Sequence, residues 1–218
     1  MKHESFDPER AWLNKVLSSS RKGGVYLRVV KPLMDIGVSL LLLPVLALCC
    51  VCLLVINPVF NSGPLFFIQP RMGRHCRAFN AIKFRTMQPA ERITRGVDDP
   101  LETDRITVLG HFLRRSRIDE LPQILNVLRG EMSLIGPRPD YFHHARRYLR
   151  SVPGYRRRHD VRPGISGLAQ TDMGYAEGTD ATNRKVALDL RYIEEFGPRL
   201  DLYVFWRTLV TIFGRKGC

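Results

Sequence analysis

A chain of 218 residues suits one domain with a sizeable core rather than two. Its 34 Lys and Arg against 21 Asp and Glu leave a net charge of +13, so its partners are expected to be anionic: nucleic acid, an acidic membrane surface or phosphorylated substrates. Cys49, Cys50 and Cys52 sit in an apolar run and Cys76 and Cys218 stand alone; this spacing suits neither a zinc site nor a disulfide framework and points to a reduced, cytosol-facing protein.

Residues 1–24 are polar and charged, without a secretory core, and read as a solvated leader. From Ile36 to Ile56 the chain is almost wholly apolar, and about 20 such residues can cross a bilayer. Pro44 lies inside this run, where it removes a backbone hydrogen bond and kinks or breaks a helix. Arg21, Lys22, Arg28 and Lys31 precede the run, and Arg71, Arg74, His75 and Arg77 follow it. With both flanks basic, no crossing direction is favoured. A broken helix that enters and leaves on one face satisfies both flanks, so residues 25–60 are expected to form a re-entrant membrane helix. Residues 61–218 are expected to form a cytoplasmic region in one structural domain with it.

Around Phe79 to Met87 the pattern alternates as in a half-buried strand, Ile82 and Phe84 facing one way and Lys83 and Arg85 the other. Two cations on one surface can hold a diphosphate, or form a solvated basic face. Further on, Leu121, Ile124, Leu125 and Leu128 make one helical stripe that Gly130 can close. Pro122 then falls in the first turn, with Asp119 near the N-cap and Glu120 just inside. A carboxylate there faces the positive end of the helix dipole, which favours its ionised form. It can attack phosphorus or hold a divalent cation, or it can be an ordinary cap on a surface helix. Arg114, five residues before Asp119, and Arg138, held between Pro137 and Pro139, are preorganised candidates for phosphate contacts.

The stretch Tyr141 to Arg158 carries His143, His144, Arg146, Arg147, Arg150, Arg156, Arg157 and Arg158, a basic helix and a turn at Pro153-Gly154 suited to anionic lipid head groups. Pro163, Gly164 and Gly167 make Arg162 to Gln170 a turn-rich loop, either a substrate mouth or a plain structural turn. Val186, Leu190 and Ile193 mark an amphipathic helix stopped by Gly197-Pro198. Tyr203 to Phe213, interleaved with Arg207 and closed by Arg215 and Lys216, suits a helix in the membrane interface or a core helix. The fold class expected is α/β, predominantly helical, one compact domain with a small irregular sheet.

Five blocks in order carry a resemblance: Lys83-Phe84-Arg85-Thr86-Met87, Arg105-Ile106-Thr107 with Gly110, Ser116 through Gly130, Gly136-Pro137-Arg138-Pro139, and Arg162 through Gln170. From roughly Lys31 to Thr208 the chain resembles the bacterial sugar transferase family, the monotopic phosphoglycosyl transferases. The resemblance implies transfer of a sugar-1-phosphate from a UDP-sugar to undecaprenyl phosphate with release of UMP, at the cytoplasmic face of a bacterial inner membrane. This is the first membrane step of exopolysaccharide, capsule, O-antigen or glycoprotein glycan assembly. It implies Asp119 as the nucleophile of a covalent phosphosugar intermediate, Mg²⁺ held by Asp119 and Glu120, and Lys83, Arg85, Arg114, Arg138 and Gln170 as substrate contacts. Anionic lipids are the further partners expected, a homodimer is among the arrangements allowed, and no nucleic-acid motif accompanies the charge.

The chain departs from the family in two places. Leu43 stands before Pro44 where a serine is frequent, and Thr171-Asp172-Met173-Gly174-Tyr175 replaces a Gly-Arg pair, with Arg184 as a substitute cation. The competing reading is a non-catalytic, membrane-anchored basic binding or scaffold protein of a polysaccharide assembly complex.

Overall fold

The apolar run folds as α1 (Lys31–Phe60), entered through a π-helical turn at Tyr26–Val30. The computed structural model describes residues 24–89, 102–173 and 179–214. The leader up to residue 23, the departure at Gly174-Tyr175, and Arg215 and Lys216 lie outside the described residues. The described residues are mostly helical, with two small sheets and one long apolar helix near the N-terminus among them.

Helical backbone continues through Pro44 and Pro58, so the break expected at Pro44 does not occur. Pro44 withholds one backbone donor from Leu40, and the turns on either side carry the helix across the gap. The buried residues of α1 are Lys31, Asp35, Ser39, Leu46, Leu53 and Asn57, spaced by fours and sevens along one stripe. The opposite faces expose Leu33, Leu41, Leu48, Val55 and Val59. The helix therefore lies along the rest of the chain. Near its start Lys31 Nζ meets Asp201 Oδ2 at 2.8 Å, and Asp35 accepts from Ser133 Oγ at 2.7 Å and Leu134 N at 3.2 Å. Just past its end, Asn61 Nδ2 donates to Arg85 O at 2.7 Å.

After α1, β1 (Phe66–Met72) and β2 (Ala78–Phe84) form an antiparallel hairpin in which Phe66 faces Phe84 and Met72 faces Ala78. Thr107 Oγ1 accepts from Gly110 N at 3.0 Å and caps α2 (Val108–Arg115). Arg117 then adopts the left-handed conformation (φ 58°) and turns the chain into a 3-10 segment, Ile118–Gln123, which passes into α3 (Ile124–Leu128). Gly130, at φ 75°, closes this unit as the sequence reading expects. Asp119 sits inside the first 3-10 turn, with Arg117 rather than Asp119 in the capping position.

A parallel pair follows, β3 (Ser133–Ile135) with β4 (Gly164–Ser166), enclosing α4 (Phe142–Ser151) and a 3-10 turn at Tyr155–His159. The chain ends in α5 (Leu168–Met173), α6 (Thr179–Glu194) and α7 (Pro198–Phe213). One core cluster joins Leu46 and Leu53 of α1 to Phe84, Leu113 and Ile124. A second centres on Met72, Ala145, Tyr155 and Val186, and a third on Ile135, Tyr192, Ile193 and Val204. Burying a side chain such as Phe84, 2% exposed, contributes about 2–3 kcal/mol. These contacts lock α1 to the segment that carries Asp119.

Arg146, Arg147, Arg150 and Arg156 are exposed as a lipid-facing cluster requires, but Arg158 is fully buried and leaves that cluster. α7 buries Asp201 and Val204 while exposing Leu202, Tyr203, Phe205, Trp206 and Val210.

Candidate active site

Two remote segments and the adjacent end of α2 converge on the 3-10 turn after Arg117. β2 brings Lys83, whose Nζ meets Glu120 Oε1 at 2.7 Å. The turn after β3 brings Arg138, whose guanidinium forks onto both Glu120 oxygens, with Nη1 to Oε2 at 2.9 Å, and also donates to Ile165 O at 2.9 Å. Arg117 stands 3.8 Å from the same carboxylate. Arg114, at the end of α2, is anchored by its Nε on Thr86 Oγ1 at 2.9 Å and adds its charge to the site.

The two adjacent carboxylates are thereby made unlike. Burial alone would raise Glu120, but the charges and hydrogen bonds of Arg138, with the charge of Lys83, outweigh it and hold Glu120 well below the usual carboxylate range. Asp119 is 8% exposed, and its Oδ1 is buried without a hydrogen-bond partner. Burial first, and the charge of Glu120 second, push it up to about 6 against the pull of Lys83, Arg138 and Arg114. That corrects the expectation that a helix dipole would favour ionised Asp119: the turn is short, and desolvation wins. The two neighbouring carboxylates thus differ in environment, Glu120 held charged by its cations and Asp119 raised by burial.

The backbone under this cluster is set by glycines. A Cβ on Gly136 would stand 2.7 Å from Arg162 O, one on Gly164 would stand 2.1 Å from Gly136 N, and one on Gly167 would stand 2.5 Å from Gly136 O. Only glycine permits these approaches, so the block around Arg138 and the block from Arg162 to Gln170 form one packed unit.

A family model described as bacterial sugar transferase matches residues 26–215. The chain belongs to the bacterial sugar transferase family. It is 40% identical over 185 residues to a UDP-N-acetylgalactosamine-undecaprenyl-phosphate N-acetylgalactosaminephosphotransferase of Aeromonas hydrophila, covering 84% of this chain and 43% of that protein. It is 36% identical over 194 residues to a UDP-glucose:undecaprenyl-phosphate glucose-1-phosphate transferase of Escherichia coli strain K12, covering 87% and 41%. The exopolysaccharide production protein PSS of Rhizobium leguminosarum bv. phaseoli is 38% identical over 194 residues, with 84% and 94% covered. The chain thus spans less than half of the first two relatives and nearly all of the third.

Of the residues singled out from the sequence, the structure gathers Asp119, Glu120, Lys83, Arg114 and Arg138 and engages Arg85 elsewhere. Arg85 is 6% exposed and turns away from Lys83: its Nε donates to Pro64 O at 2.7 Å and its Nη2 to Asn61 O. β2 stops at Phe84, so the alternation that put both cations on one face ends one residue too soon. Arg85 closes the end of α1 onto the hairpin. Gln170 lies half-buried on α5, its Oε1 buried and without a hydrogen-bond partner, in the loop unit packed behind Arg138.

Sequence reasoning missed Asn126. Its Oδ1 accepts from Ile82 N at 3.1 Å and its Nδ2 donates to Asn80 O at 2.8 Å, which ties α3 to β2 and sets the reach of Lys83. An asparagine between Leu125 and Val127 in an apolar helix was the available signal. A divalent cation finds the Asp119 carboxylate here, whose buried Oδ1 has no hydrogen-bond partner; both Glu120 oxygens are already engaged by cations. Among the described residues no cluster of three or more His, Cys, Asp or Glu side chains occurs.

Proposed function

We propose that this sugar transferase moves a sugar-1-phosphate from a UDP-sugar to undecaprenyl phosphate through a covalent intermediate on Asp119. The observation that carries the reading is the unlike pair: Glu120 pinned by Lys83 and Arg138, and Asp119 buried beside those cations with an unpartnered oxygen. The Asp119 carboxylate attacks the phosphorus next to the sugar, the bond to the UMP oxygen breaks, and UMP leaves. An oxygen of the lipid phosphate then attacks the same phosphorus, the aspartyl–phosphorus bond breaks, and the carboxylate is restored with a lipid diphosphate sugar as product. Lys83, Arg114 and Arg138 supply the positive field that charge build-up at a diphosphate requires.

Mg²⁺ would fit as a substrate-borne ion held on the protein side by the Asp119 carboxylate, since this cation favours few protein carboxylates over an all-protein cage. When bound it would offset negative charge on the diphosphate. Glu120, expected from sequence as a second ligand, is better suited to orient Arg138 and Lys83.

The protein works at the cytoplasmic face of the membrane with both flanks of α1 on that side. α1 is about 45 Å long at 1.5 Å per residue, longer than the roughly 30 Å hydrocarbon core. It touches the rest of the chain near both ends, through Lys31 with Asp201 and through Asn61 with Arg85. Contacts near both ends with the same region support a helix that lies in the leaflet with its uncovered faces in lipid over one perpendicular to the bilayer. The exposed aromatics of α7, Tyr203, Phe205 and Trp206, suit the interface beside it. Such a product feeds assembly of an exopolysaccharide or related glycan.

Intact mass of the protein incubated with UDP-sugars and Mg²⁺, without lipid acceptor, should show one added phosphosugar and release of UMP. Asp119→Asn should show neither; an adduct of undiminished yield on that variant would remove Asp119 from the mechanism. Single cysteines at Gly24 and Arg77 in a cysteine-free background test the topology: an impermeant thiol reagent outside the inner membrane should label neither. Labelling of one position means a crossing helix.

A further inference from the structure

Behind Arg138 lies a buried ionic cluster that the transfer reaction leaves unexplained. Asp140 accepts from Tyr155 Oη at 2.7 Å and from Arg158 and Lys185. Arg158 is 2% exposed, and a buried guanidinium demands acceptors. It has two, the Asp140 carboxylate and the backbone carbonyl of Arg138 at 2.6 Å, and it forms an ion pair with Asp189 Oδ2 at 2.8 Å. From the other side Arg71 Nη1 donates to Pro139 O at 3.1 Å. The backbone carbonyls of Arg138 and Pro139 are thus gripped by cations while the Arg138 side chain forks onto Glu120.

Stability alone is a poor reason for such a cluster. Taking an arginine and an aspartate out of water costs several kcal/mol per ion, and apolar replacements of buried pairs are frequently neutral or stabilising. An apolar pair at 158 and 189 could hold α6 against the turn at Tyr155–His159. It could not donate a hydrogen bond to the carbonyl of Arg138. That bond is the one feature of the cluster aimed at the active site.

We propose that Arg158 is a positioning residue: through the carbonyl of Arg138 it fixes the backbone from which the Arg138 fork holds Glu120 beside Asp119. It touches no substrate. A shift of the fork by an ångström costs rate because the carboxylate pair must be held against the diphosphate in reacting geometry. The proposal rests on the phosphosugar-transfer reading for what is positioned, and its first readout is independent of that reading.

The test compares wild type, Arg158→Met as a reference with Asp189 left uncompensated, and Arg158→Met/Asp189→Asn, which removes both charges. In the double variant the melting temperature should recover to near the wild-type value. Amide hydrogen exchange in the peptide spanning residues 136–142 should nevertheless be faster than in wild type. UMP release should fall roughly ten-fold or more in kcat, with KM for the UDP-sugar within about two-fold. Wild-type exchange in residues 136–142 overturns the proposal whatever the activity, and so does recovery of kcat together with the melting temperature. Arg158→Lys covers the case in which the double variant does not fold: it keeps the cation without the fork, and full activity there also overturns the proposal. A wild-type protein that releases no UMP from any UDP-sugar sinks the functional reading instead, and the exchange data still decide whether Arg158 holds the Arg138 backbone.

Discussion

Replacing Arg85 by Met separates a structural clamp from a diphosphate ligand. Methionine keeps much of the apolar stem and removes every donor, so the carbonyls of Pro64 and Asn61 lose their partner. A third contact, to Met87 O at 3.5 Å, is too long to add much. Two hydrogen bonds to a charged group are worth about 1.5–3 kcal/mol each. Burial disfavours the guanidinium and lowers its pKa, so removing it returns part of that sum. The net loss expected is about 2–3 kcal/mol, or about 4–12 °C in melting temperature for a chain of this size. Thermal unfolding in detergent micelles measures the shift, and initial rates well below the transition give KM for the UDP-sugar, expected within about two-fold of wild type. An unchanged melting temperature with KM raised ten-fold or more would mean that Arg85 leaves its carbonyls to hold substrate, and the clamp reading would fail.

Glu120→Gln strips the charge that pairs Lys83 and Arg138, and kcat should fall by about 10²-fold. Because Glu120 helps to raise Asp119 to about 6, the acid limb of adduct formation should also move to lower pH; a limb that stays in place removes Glu120 as a cause. His159 is 4% exposed, and burial, then the Arg158 charge, lowers it from 6.5 to about 4. The unfolded chain therefore binds the extra proton first, so stability from a neutral His159 is full above pH 6.5 and lost as pH falls toward 4, by about 3 kcal/mol. Urea midpoints at pH 7 and 4.5 should differ less in His159→Gln than in wild type, and equal differences would refute the assignment. Gly110→Ala places a Cβ 1.9 Å from Thr86 O, so it should cost about 2–4 kcal/mol by overpacking and loosen the Arg114 contact to Thr86; an unchanged unfolding midpoint would contradict this.

What was legible in the sequence was local. The Gly130 terminus depends on neighbours within a few residues and the structure keeps it, whereas the stripe from Leu121 to Leu128 is split, with Leu121 in the 3-10 segment and the α-helix starting at Ile124. Arg85 was misread because a period-two pattern carries no mark of where its partner strand begins, and β1 pairs only as far as Phe66 with Phe84. The β1 strand itself was unforeseen, with Pro70 inside it arguing against a strand. Arg156, Arg157 and Arg158 look alike in sequence, yet only Arg158 finds Asp140 and Asp189, the latter 31 residues on. Asp119 shows the same limit in energetics, since its environment comes from Lys83 and Arg138 in other segments.

The contacts of α1 also impose an order on assembly. Asp35 lies 98 residues before Ser133, and Lys31 lies 170 residues before Asp201. At about 5–20 residues per second, the ribosome takes roughly 10–30 s to reach Asp201 after Lys31 has emerged. Through that interval the apolar helix is complete while its polar stripe has no protein to meet, and water at the head groups is the available partner. On the membrane placement proposed above, the bilayer is the surface on which the nascent helix waits, and the later segments close over a stripe that the lipid cannot cover.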